Sequence, residues 1–382
     1  MRILVAPDSF KGSLDPLAVA RALAAGWQRA RPLDEVRLIP LADGGEGTLE
    51  AVKAAGGEWL ELPVHARDPL GRPLRATFLR RGEQGIVEMA SASGLSRLSP
   101  AERDALAAST LGTGQVLAAA IGLGVRDVVL GLGGSATTDG GTGLLSALGA
   151  RLFDSDGGDL PPGGGALNRL MTVDLDEVNP VLAEVRLTVA SDVTNPLLGE
   201  RGAAATYGPQ KGADEAQVQQ LDANLAHYAS IMEAAVGRSL RDAAGAGAAG
   251  GTTFGLLAIA DRFASFEVRP GVEVVMDLTG FDAALAESDV VLTGEGRIDA
   301  QTAYGKTAMG VAVRARRAGV PCICFGGGVL PEGIAALAGE GALVMPVVER
   351  PMPLEEAMAA GTAPLERAAE RAARLVGLVA GP

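Results

Sequence analysis

The chain has 382 residues, 48% of them hydrophobic, and its 53 glycines cluster where apolar stretches end, which is typical of a globular α/β enzyme with two domains. A net charge of −13 argues against nucleic-acid binding, which needs a basic face, and an aromatic content of 3% leaves few stacking platforms for single strands. We find no signal segment and no unbroken apolar stretch of about 20 residues, so no membrane span is expected.

The first predicted elements are a strand, a loop and a helix. Residues 3–6 are apolar and predict the strand, and the loop after it carries Asp8, Ser9 and Lys11 before apolar residues recur at helical spacing. Open α/β sheets bind ligands at the carboxyl ends of their strands, so these three side chains are candidate ligand contacts.

The same pattern is repeated by the next predicted elements. Residues 36–41 predict a strand, and a helix is predicted from about residue 48. The loop between them contains Asp43 and Glu46 beside three glycines. Helix capping explains one of the two acids but not both, so this loop also predicts a site.

Residues 59–90 alternate between apolar and polar side chains, and turns at 68–72 and 81–85 interrupt the alternation. This pattern predicts antiparallel hairpins. We therefore place a domain boundary after residue 64.

Residues 127–143, with the sequence DVVLGLGGSATTDGGTG, combine an apolar run with glycines and hydroxyls. The run over 128–130 predicts a buried parallel strand, and residues 144–150 predict a helix. Backbone N–H groups of such a turn, at the positive end of a helix dipole, suit an anion and usually a phosphate. A tight turn between a closely packed strand and helix is the structural alternative. The phosphate candidates are Gly133, Gly134, Ser135, Thr137 and Thr138.

A dinucleotide-binding pattern overlaps this stretch, at Gly131, Gly133 and Ala136, with Asp154 further along the chain. The pattern is short in a chain so rich in glycine, and the polar residues 137–139 interrupt the start of the helix. NAD binding is therefore kept only as an alternative.

Another polar loop follows a predicted strand over 185–190. Asp192 and Asn195 lie in it, before a proline and a glycine-rich stretch that carries Lys211. An Asp–Asn pair in a turn is commonly turn chemistry alone, but its position after an apolar strand favours a site.

From residue 289 the pattern of the chain's start returns. The stretches 290–299, 321–328 and 342–349 predict apolar strands separated by helical runs, as in parallel β-α-β units. We therefore expect one domain built from both chain ends, with the middle of the chain inserted.

The loop that follows the strand at 290 is strongly charged. GKT at 305–307 ends like a P-loop, but Ala300 replaces the required first glycine and the strand ends about a dozen residues before the lysine, so it is not one. Acids and bases together suit a magnesium-bound phosphate or a small polar acid. The charged and polar candidates of this loop are Glu295, Arg297, Asp299, Gln301 and Lys306.

Lysine is rare in this chain, at only four of its 33 basic positions. Lys11, Lys211 and Lys306 are each next to a glycine, while arginine is used almost everywhere else. A compact ammonium beside bare backbone is suited to a phosphate, with chance as the alternative explanation.

The cysteines and histidines are predicted to be structural. Cys322 and Cys324 alternate in a predicted strand and so share one face of the core, as expected for a cytoplasmic protein. His65 lies in a predicted strand and His227 in a helix predicted over 215–236. With no other histidine, a His-based triad and a His-rich metal site are excluded.

Five motifs together resemble the glycerate kinase family, the bacterial type with a discontinuous two-domain chain. They are APDSFKGSL, PLADGGEGT, GLGGSATTDGGTG, SDVTNPLLG with GPQKGA, and TGEGRIDAQTAYGKT, and they run in order from residue 6 to residue 307. The resemblance implies an α/β fold with a flavodoxin-like parallel-sheet domain over 1–64 and 285–382. It also implies an inserted mixed α/β domain over 65–284 and an active site in the cleft between the two domains.

The resemblance further implies phosphorylation of D-glycerate that depends on ATP and Mg²⁺, with 2-phosphoglycerate as the product in most members of this type. Phosphorylation at the 3-position, an NAD-dependent dehydrogenase and a non-catalytic sensor of a sugar acid are the alternatives. The sequence predicts no oligomeric state.

Roles within this reaction follow as hypotheses. Asp192 is the first choice for the general base and Asp43 the second. Lys11 and Lys306 would balance phosphate charge or hold the glycerate carboxylate. The candidate magnesium ligands are Glu295 and Asp299, the candidate substrate contacts are Asp8, Ser9, Glu46, Asn195, Arg297 and Gln301, and the candidate nucleotide contacts are Gly133, Gly134, Ser135, Thr137, Thr138 and Lys211.

Overall fold

The computed structural model describes residues 1–300, 302 and 306–380. Its strands are β1 (Arg2–Val5), β2 (Glu35–Leu38), β3 (Leu60–Arg67), β4 (Pro73–Arg81), β5 (Gln84–Glu88), β6 (Asp127–Gly131), β7 (Arg151–Asp154), β8 (Leu170–Asp174), β9 (Arg186–Ala190), β10 (Ser265–Arg269), β11 (Val290–Ile298), β12 (Cys322–Val329) and β13 (Leu343–Pro346). Its α-helices are α1 (Pro16–Ala30), α2 (Thr48–Ala54), α3 (Ala90–Ser93), α4 (Leu111–Gly122), α5 (Thr142–Ala147), α6 (Ala203–Tyr207), α7 (Glu215–Val236), α8 (Ala248–Ala258), α9 (Gly271–Thr279), α10 (Phe281–Ala286), α11 (Thr307–Ala318), α12 (Pro331–Gly339), α13 (Leu354–Ala359) and α14 (Ala363–Ala380). Short 3-10 helices cover Leu95–Arg97, Pro100–Glu102, Gly164–Arg169, Pro180–Glu184, Pro209–Lys211 and Ala260–Arg262.

The chain divides into two compact units. Unit 1 comprises Met1–Asp43, Gly47–Gly57 and the described residues from Pro270 onward, and unit 2 comprises Gly44–Glu46 and Glu58–Arg269. These bounds differ from the predicted boundaries after residues 64 and 284. The whole of β3 pairs with β4, which places it in the sheet of unit 2, whereas α9 and α10 contribute to the core of unit 1.

A sheet of five parallel strands forms the centre of unit 1, in the order β13-β12-β11-β1-β2. This is the flavodoxin order, in which the direction of chain progression reverses between β1 and β11. The predicted flavodoxin-like sheet built from both chain ends is therefore confirmed. Ligands of such sheets bind at the carboxyl ends of the strands near this reversal.

The period-two alternation of the strands fills a core on each face of this sheet. Ile3 and Val5 pack on the side covered by α1 and α14, whereas Leu4 packs on the side covered by α9, α10 and α11. Cys322 and Cys324 are both buried on the second side, which confirms their predicted place in the core.

A mixed sheet of six strands forms the centre of unit 2, in the order β10-β9-β6-β5-β4-β3. Strands β5, β6, β9 and β10 are parallel to one another, and β4 and β3 continue the sheet antiparallel, as the hairpin pattern predicts. β7 and β8 form a separate antiparallel pair.

Two helix predictions for unit 2 have different outcomes. The helix predicted over 215–236 is confirmed as α7. The helix predicted over 144–150 is wrong in its extent, since α5 spans Thr142–Ala147 and Gly149 adopts a φ of +104° that ends the helical path. None of the helices among the described residues is long and apolar enough to span a membrane.

Candidate active site

The carboxyl edge of the unit 1 sheet brings together charged residues that are far apart in the sequence. Asp8 follows β1, its N–H donating to Gly294 O of β11 over 2.9 Å. Glu295 is on β11 itself, because this strand continues to Ile298; the prediction that the strand ends about a dozen residues before Lys306 is wrong. Asp43 lies in the loop after β2, whose path is held to that of β1 by a 2.9 Å bond from Leu41 N to Pro7 O. Parallel pairing therefore places three carboxylates at the same edge of the sheet.

Asp8 is a buried acid with two hydrogen-bond donors. Thr307 Oγ1, at the start of α11, donates to Asp8 Oδ2 over 2.6 Å, and Ser9 N donates to Asp8 Oδ1 over 2.6 Å. Burial and the nearby charge of Asp43 nevertheless raise the pKa of Asp8 to about 6. Its charge therefore depends on pH in a range where an exposed aspartate is fully ionised.

Glu295 is also buried, and its carboxylate accepts a hydrogen bond from Thr302 Oγ1. Burial raises the pKa of Glu295 to about 7, with smaller contributions from the charges of Asp8 and Asp299, while Lys306 opposes the shift. The ionised form of Glu295 is therefore stabilised by any cation that reaches its carboxylate.

Three basic side chains face these acids. Lys11 Nζ lies 3.6 Å from Asp43 Oδ2, and Asp43 is the main cause of a raised pKa at Lys11. Asp299 holds the other two, with Lys306 Nζ at 3.7 Å and Arg297 Nε at 3.0 Å. The side chain of Lys11 is 83% exposed, so it is available to a ligand.

Most of these residues line one cavity of about 590 Å³ within unit 1, but Asp299 is not among its lining residues. Cavities of this size are typical of small-molecule sites. The predicted candidates that line it are Asp8, Ser9, Lys11, Asp43, Glu295, Arg297 and Lys306. Gln301 lies outside the described residues.

The glycine-rich turn in unit 2 is built around the buried carboxylate of Asp139. Asp139 Oδ2 accepts hydrogen bonds from Thr110 N, Thr110 Oγ1, Ser109 Oγ and Gly143 N, and Oδ1 accepts one from Gly141 N. Burial raises the pKa of Asp139, and the donors oppose that shift. The acid therefore fixes the turn where β6 leads into α5.

Most of this turn is used by the protein itself. Thr137 and Thr138 are fully buried, and Ser135 is nearly so. Gly133 N donates to Gly44 O over 3.3 Å, and Gly134, with a φ of +75°, is the exposed tip. Contact between this turn and a phosphate stays a prediction, and the tip at Gly133 and Gly134 is the part open to it.

Lys211 is only 2% exposed, and its Nζ donates to Thr137 O over 2.6 Å. Burial lowers the pKa of Lys211 to about 7, with the charge of Asp139 acting in the opposite direction. Lys211 therefore supports the glycine-rich turn from the protein interior. The sequence predicts that it contacts a nucleotide, and a side chain buried in this way does not favour that contact.

The remaining candidates of unit 2 are more accessible. Asp192 and Asn195 are half-buried after β9, with Asn195 Nδ2 donating to Arg201 O over 2.7 Å and Tyr207 OH donating to Asn195 Oδ1 over 3.1 Å. Glu46 is exposed beside Gly134, where a Cβ added to the glycine would lie 3.8 Å from Glu46 Cβ.

Comparison with known proteins shows to which family the chain belongs. The sequence model of a protein family, described as "Glycerate kinase family", matches residues 3–377. The chain belongs to the glycerate kinase family. It is therefore an enzyme of a kinase family, and the resemblance found in the five motifs is confirmed.

Relatives in this family align over nearly the whole chain. A glycerate kinase of Halalkalibacterium halodurans is 45% identical over 375 residues, or 97% of each chain. A glycerate 2-kinase of Escherichia coli is 40% identical over 334 residues, which cover 87% of this chain and 86% of the relative. The crystal structure of a putative glycerate kinase 2 from Salmonella typhimurium LT2 superposes with a TM-score of 0.83 at 39% identity, covering 100% and 99% of the two chains.

Sequence reasoning missed three residues that shape these glycerate kinase family motifs. Thr302 and Thr307 hold the buried acids Glu295 and Asp8, and Asp139 organises the glycine-rich turn. A signal was present for Asp139, because an acid within a glycine-rich turn that precedes a helix has several N–H groups to accept from. The two threonines gave no such signal, since their partners are distant in sequence or on the preceding strand.

Proposed function

We propose that the chain catalyses phosphorylation of D-glycerate by ATP, with 2-phosphoglycerate and ADP as the products. The observation that carries this proposal is the cluster of buried acids and accessible lysines at the carboxyl edge of the unit 1 sheet. Such a cluster suits a polyanion that arrives with its own metal ion. The name of the Escherichia coli relative, glycerate 2-kinase, supports the 2-position.

The donor chemistry of the cluster fits Mg²⁺, which prefers carboxylate oxygens and retains several waters and phosphate oxygens as ligands. Among the described residues, no group of three or more His, Cys, Asp or Glu side chains is arranged to hold a metal ion alone. We therefore assign one or two protein ligands, Glu295 and Asp299, with the rest supplied by phosphate and water. When bound, Mg-ATP supplies the transferable phosphoryl group and neutralises charge on it.

The remaining groups position the reactants and handle the proton. Lys11 and Lys306 face the phosphates, and Arg297 holds the glycerate carboxylate. Asp192 takes the proton from the attacking hydroxyl, with Asp43 as the second choice for this role. Further assigned contacts are Asp8, Ser9, Glu46 and Asn195 for glycerate, and the tip at Gly133 and Gly134 for the nucleotide.

The first test of the proposed function is release of ADP by the purified protein with Mg-ATP and D-glycerate, with products resolved by phosphorus NMR. We expect ADP formation that depends on glycerate, with the 2-phosphate as product. Product at the 3-position would overturn the regiochemistry and keep the kinase. Reduction of NAD in place of ADP release would favour a dehydrogenase, and glycerate binding without turnover would favour a sensor.

The activity should depend on pH through Asp8 and Glu295, whose pKa values burial raises to about 6 and about 7. Both groups are protonated below these values, so kcat/KM for D-glycerate should rise as the pH increases from about 5.5 to about 8. Protons and Mg²⁺ compete for the Glu295 carboxylate, so more Mg²⁺ should move the midpoint to lower pH. The measurement is kcat/KM across this range at two free Mg²⁺ concentrations about tenfold apart. A midpoint that ignores the Mg²⁺ concentration would contradict the assigned metal contact.

A further inference from the structure

The cavity of unit 1 has two chemically different halves. The charged half is formed by Asp8, Lys11, Asp43, Glu295 and Lys306. The apolar half is formed by Leu14, Val347, Met352, Leu354, Met358 and Leu365. The same segment also lines the cavity with Glu349, Glu356 and Arg367, of which Glu349 and Arg367 pair with each other at 2.9 Å and Glu356 pairs with Arg350. None of the proposed catalytic and metal-binding contacts belongs to the apolar half.

The apolar half is built where β12 and β13 end and α13 and α14 begin. Val347 N donates to Gly326 O over 2.9 Å, which holds the segment after β13 beside the glycines that end β12. Gly327 and Gly328 line the cavity without side chains, and a Cβ on Gly328 would meet no atom closer than 3.9 Å. A Cβ on Gly327 would lie 2.6 Å from Gly296 O, so this position has no room for a side chain. Gly327 and Gly328 therefore leave a short strip of bare backbone as one wall of the cavity.

Large apolar side chains at the mouth of the cavity are open to solvent. Leu354 is 74% exposed and Met358 is 37% exposed, although both line the same concave surface. Apolar side chains grouped around a concave surface mark a ligand contact more often than isolated exposed ones do. Methionine side chains are flexible and polarisable, so Met352 and Met358 can adjust to the faces of a flat ring.

Glycerate and ATP, the two reactants of the proposed function, differ in the apolar surface that they can place in the apolar half of the cavity. Every carbon of glycerate carries an oxygen, so it offers no apolar surface to bury. ATP has a flat, largely apolar base joined to a polyanion, which matches an apolar half continuous with a charged half containing Lys11 and Lys306. The base of a nucleotide is therefore the occupant that both halves fit.

We propose that the apolar half of the cavity is the subsite for the purine base of the nucleoside triphosphate, with the triphosphate directed to the charged half. This inference rests on the proposed function for the identity of the nucleotide. It assigns a role to residues 347–365 and to the β12 glycines, which the motifs of the family resemblance do not include.

The test measures binding of Mg-ATP and of Mg-tripolyphosphate to Leu354→Asp and Met358→Asp by calorimetry. A carboxylate placed against the base should weaken ATP binding by about tenfold or more, because the base cannot solvate it. Tripolyphosphate has no base, so its affinity should change by less than about threefold. Leu33→Asp is the matched control, since Leu33 is 97% exposed in unit 1 and does not line the cavity.

A second measurement uses the wild-type protein with ¹³C-labelled methionine methyl groups. The methyl resonances of Met352 and Met358 should shift with Mg-ATP and not with Mg-tripolyphosphate. Equal weakening of both ligands in the variants, or unchanged ATP affinity together with unshifted methyl signals, would overturn the subsite. ATP binding weakened in the variants of a protein that does not phosphorylate glycerate would keep the subsite and reject the proposed function.

Discussion

Replacing Glu295 with glutamine is expected to lower kcat/KM for D-glycerate by about 100- to 1,000-fold, because it removes the buried charge assigned to the metal ion. Glutamine keeps the shape and can still accept the hydrogen bond from Thr302 Oγ1. Burial raises the pKa of Glu295 to about 7, so the ionised carboxylate destabilises the fold above that pH. Near pH 8 the variant should therefore have an unchanged or higher melting temperature while its activity falls.

The control for this variant is Glu332→Gln, since Glu332 is exposed in the first turn of α12 and does not line the cavity. Its kcat/KM should stay within about twofold of the wild-type value. Asp192→Asn, at the assigned general base, should also lower kcat by 100-fold or more. Higher Mg²⁺ should recover part of the activity of Glu295→Gln and none of that of Asp192→Asn. A Glu295→Gln enzyme within about threefold of wild type would remove Glu295 from the site.

Replacing Asp139 with alanine is expected to lower the free energy of unfolding by about 3–5 kcal/mol, which is the effect of removing one partner from a buried charged network. Five donors converge on this carboxylate, and the substitution leaves the N–H groups of Thr110, Gly141 and Gly143 buried without their acceptor. Lys211, buried nearby, also loses the opposite charge that favours its protonated form.

Urea denaturation followed by circular dichroism measures this change. Asp176→Ala is the matched control, because Asp176 is exposed in the same unit, and it should change the free energy of unfolding by less than about 0.5 kcal/mol. A loss of less than about 1 kcal/mol for Asp139→Ala would show that water replaces the carboxylate and that the turn does not depend on it.

The sequence predicted the local elements of the site well. The ends of β1, β6, β9 and β11 are marked by apolar runs that are followed by glycine or acidic residues. A buried parallel strand is apolar, whereas a loop that binds a polar ligand needs polar side chains and exposed backbone. Asp8, Lys11 and Glu295 were therefore recognisable as loop or strand-end candidates, and the order of strands and helices predicted a domain made from both chain ends.

Long-range packing determined what those candidates became. Asp8 and Thr307 are 299 positions apart and meet only because β1 and β11 are neighbours in the sheet. Lys211 and Thr137 were predicted to contact a nucleotide, but both are buried and bonded to each other, since burial depends on every element that packs around a residue. Local pattern cannot distinguish a lysine that faces a ligand from one that supports a turn.

The sequence by itself thus determined the elements, their order, the family motifs and the loops that carry charge, because propensity and periodicity act over a few neighbouring residues. Only the tertiary structure decided the unit boundaries at β3 and α9, the raised pKa values of Asp8 and Glu295, and the apolar half of the cavity. Each of these depends on contacts between segments that are distant along the chain. The free energy of such contacts comes from strand pairing and from the exclusion of water, which local sequence does not reveal.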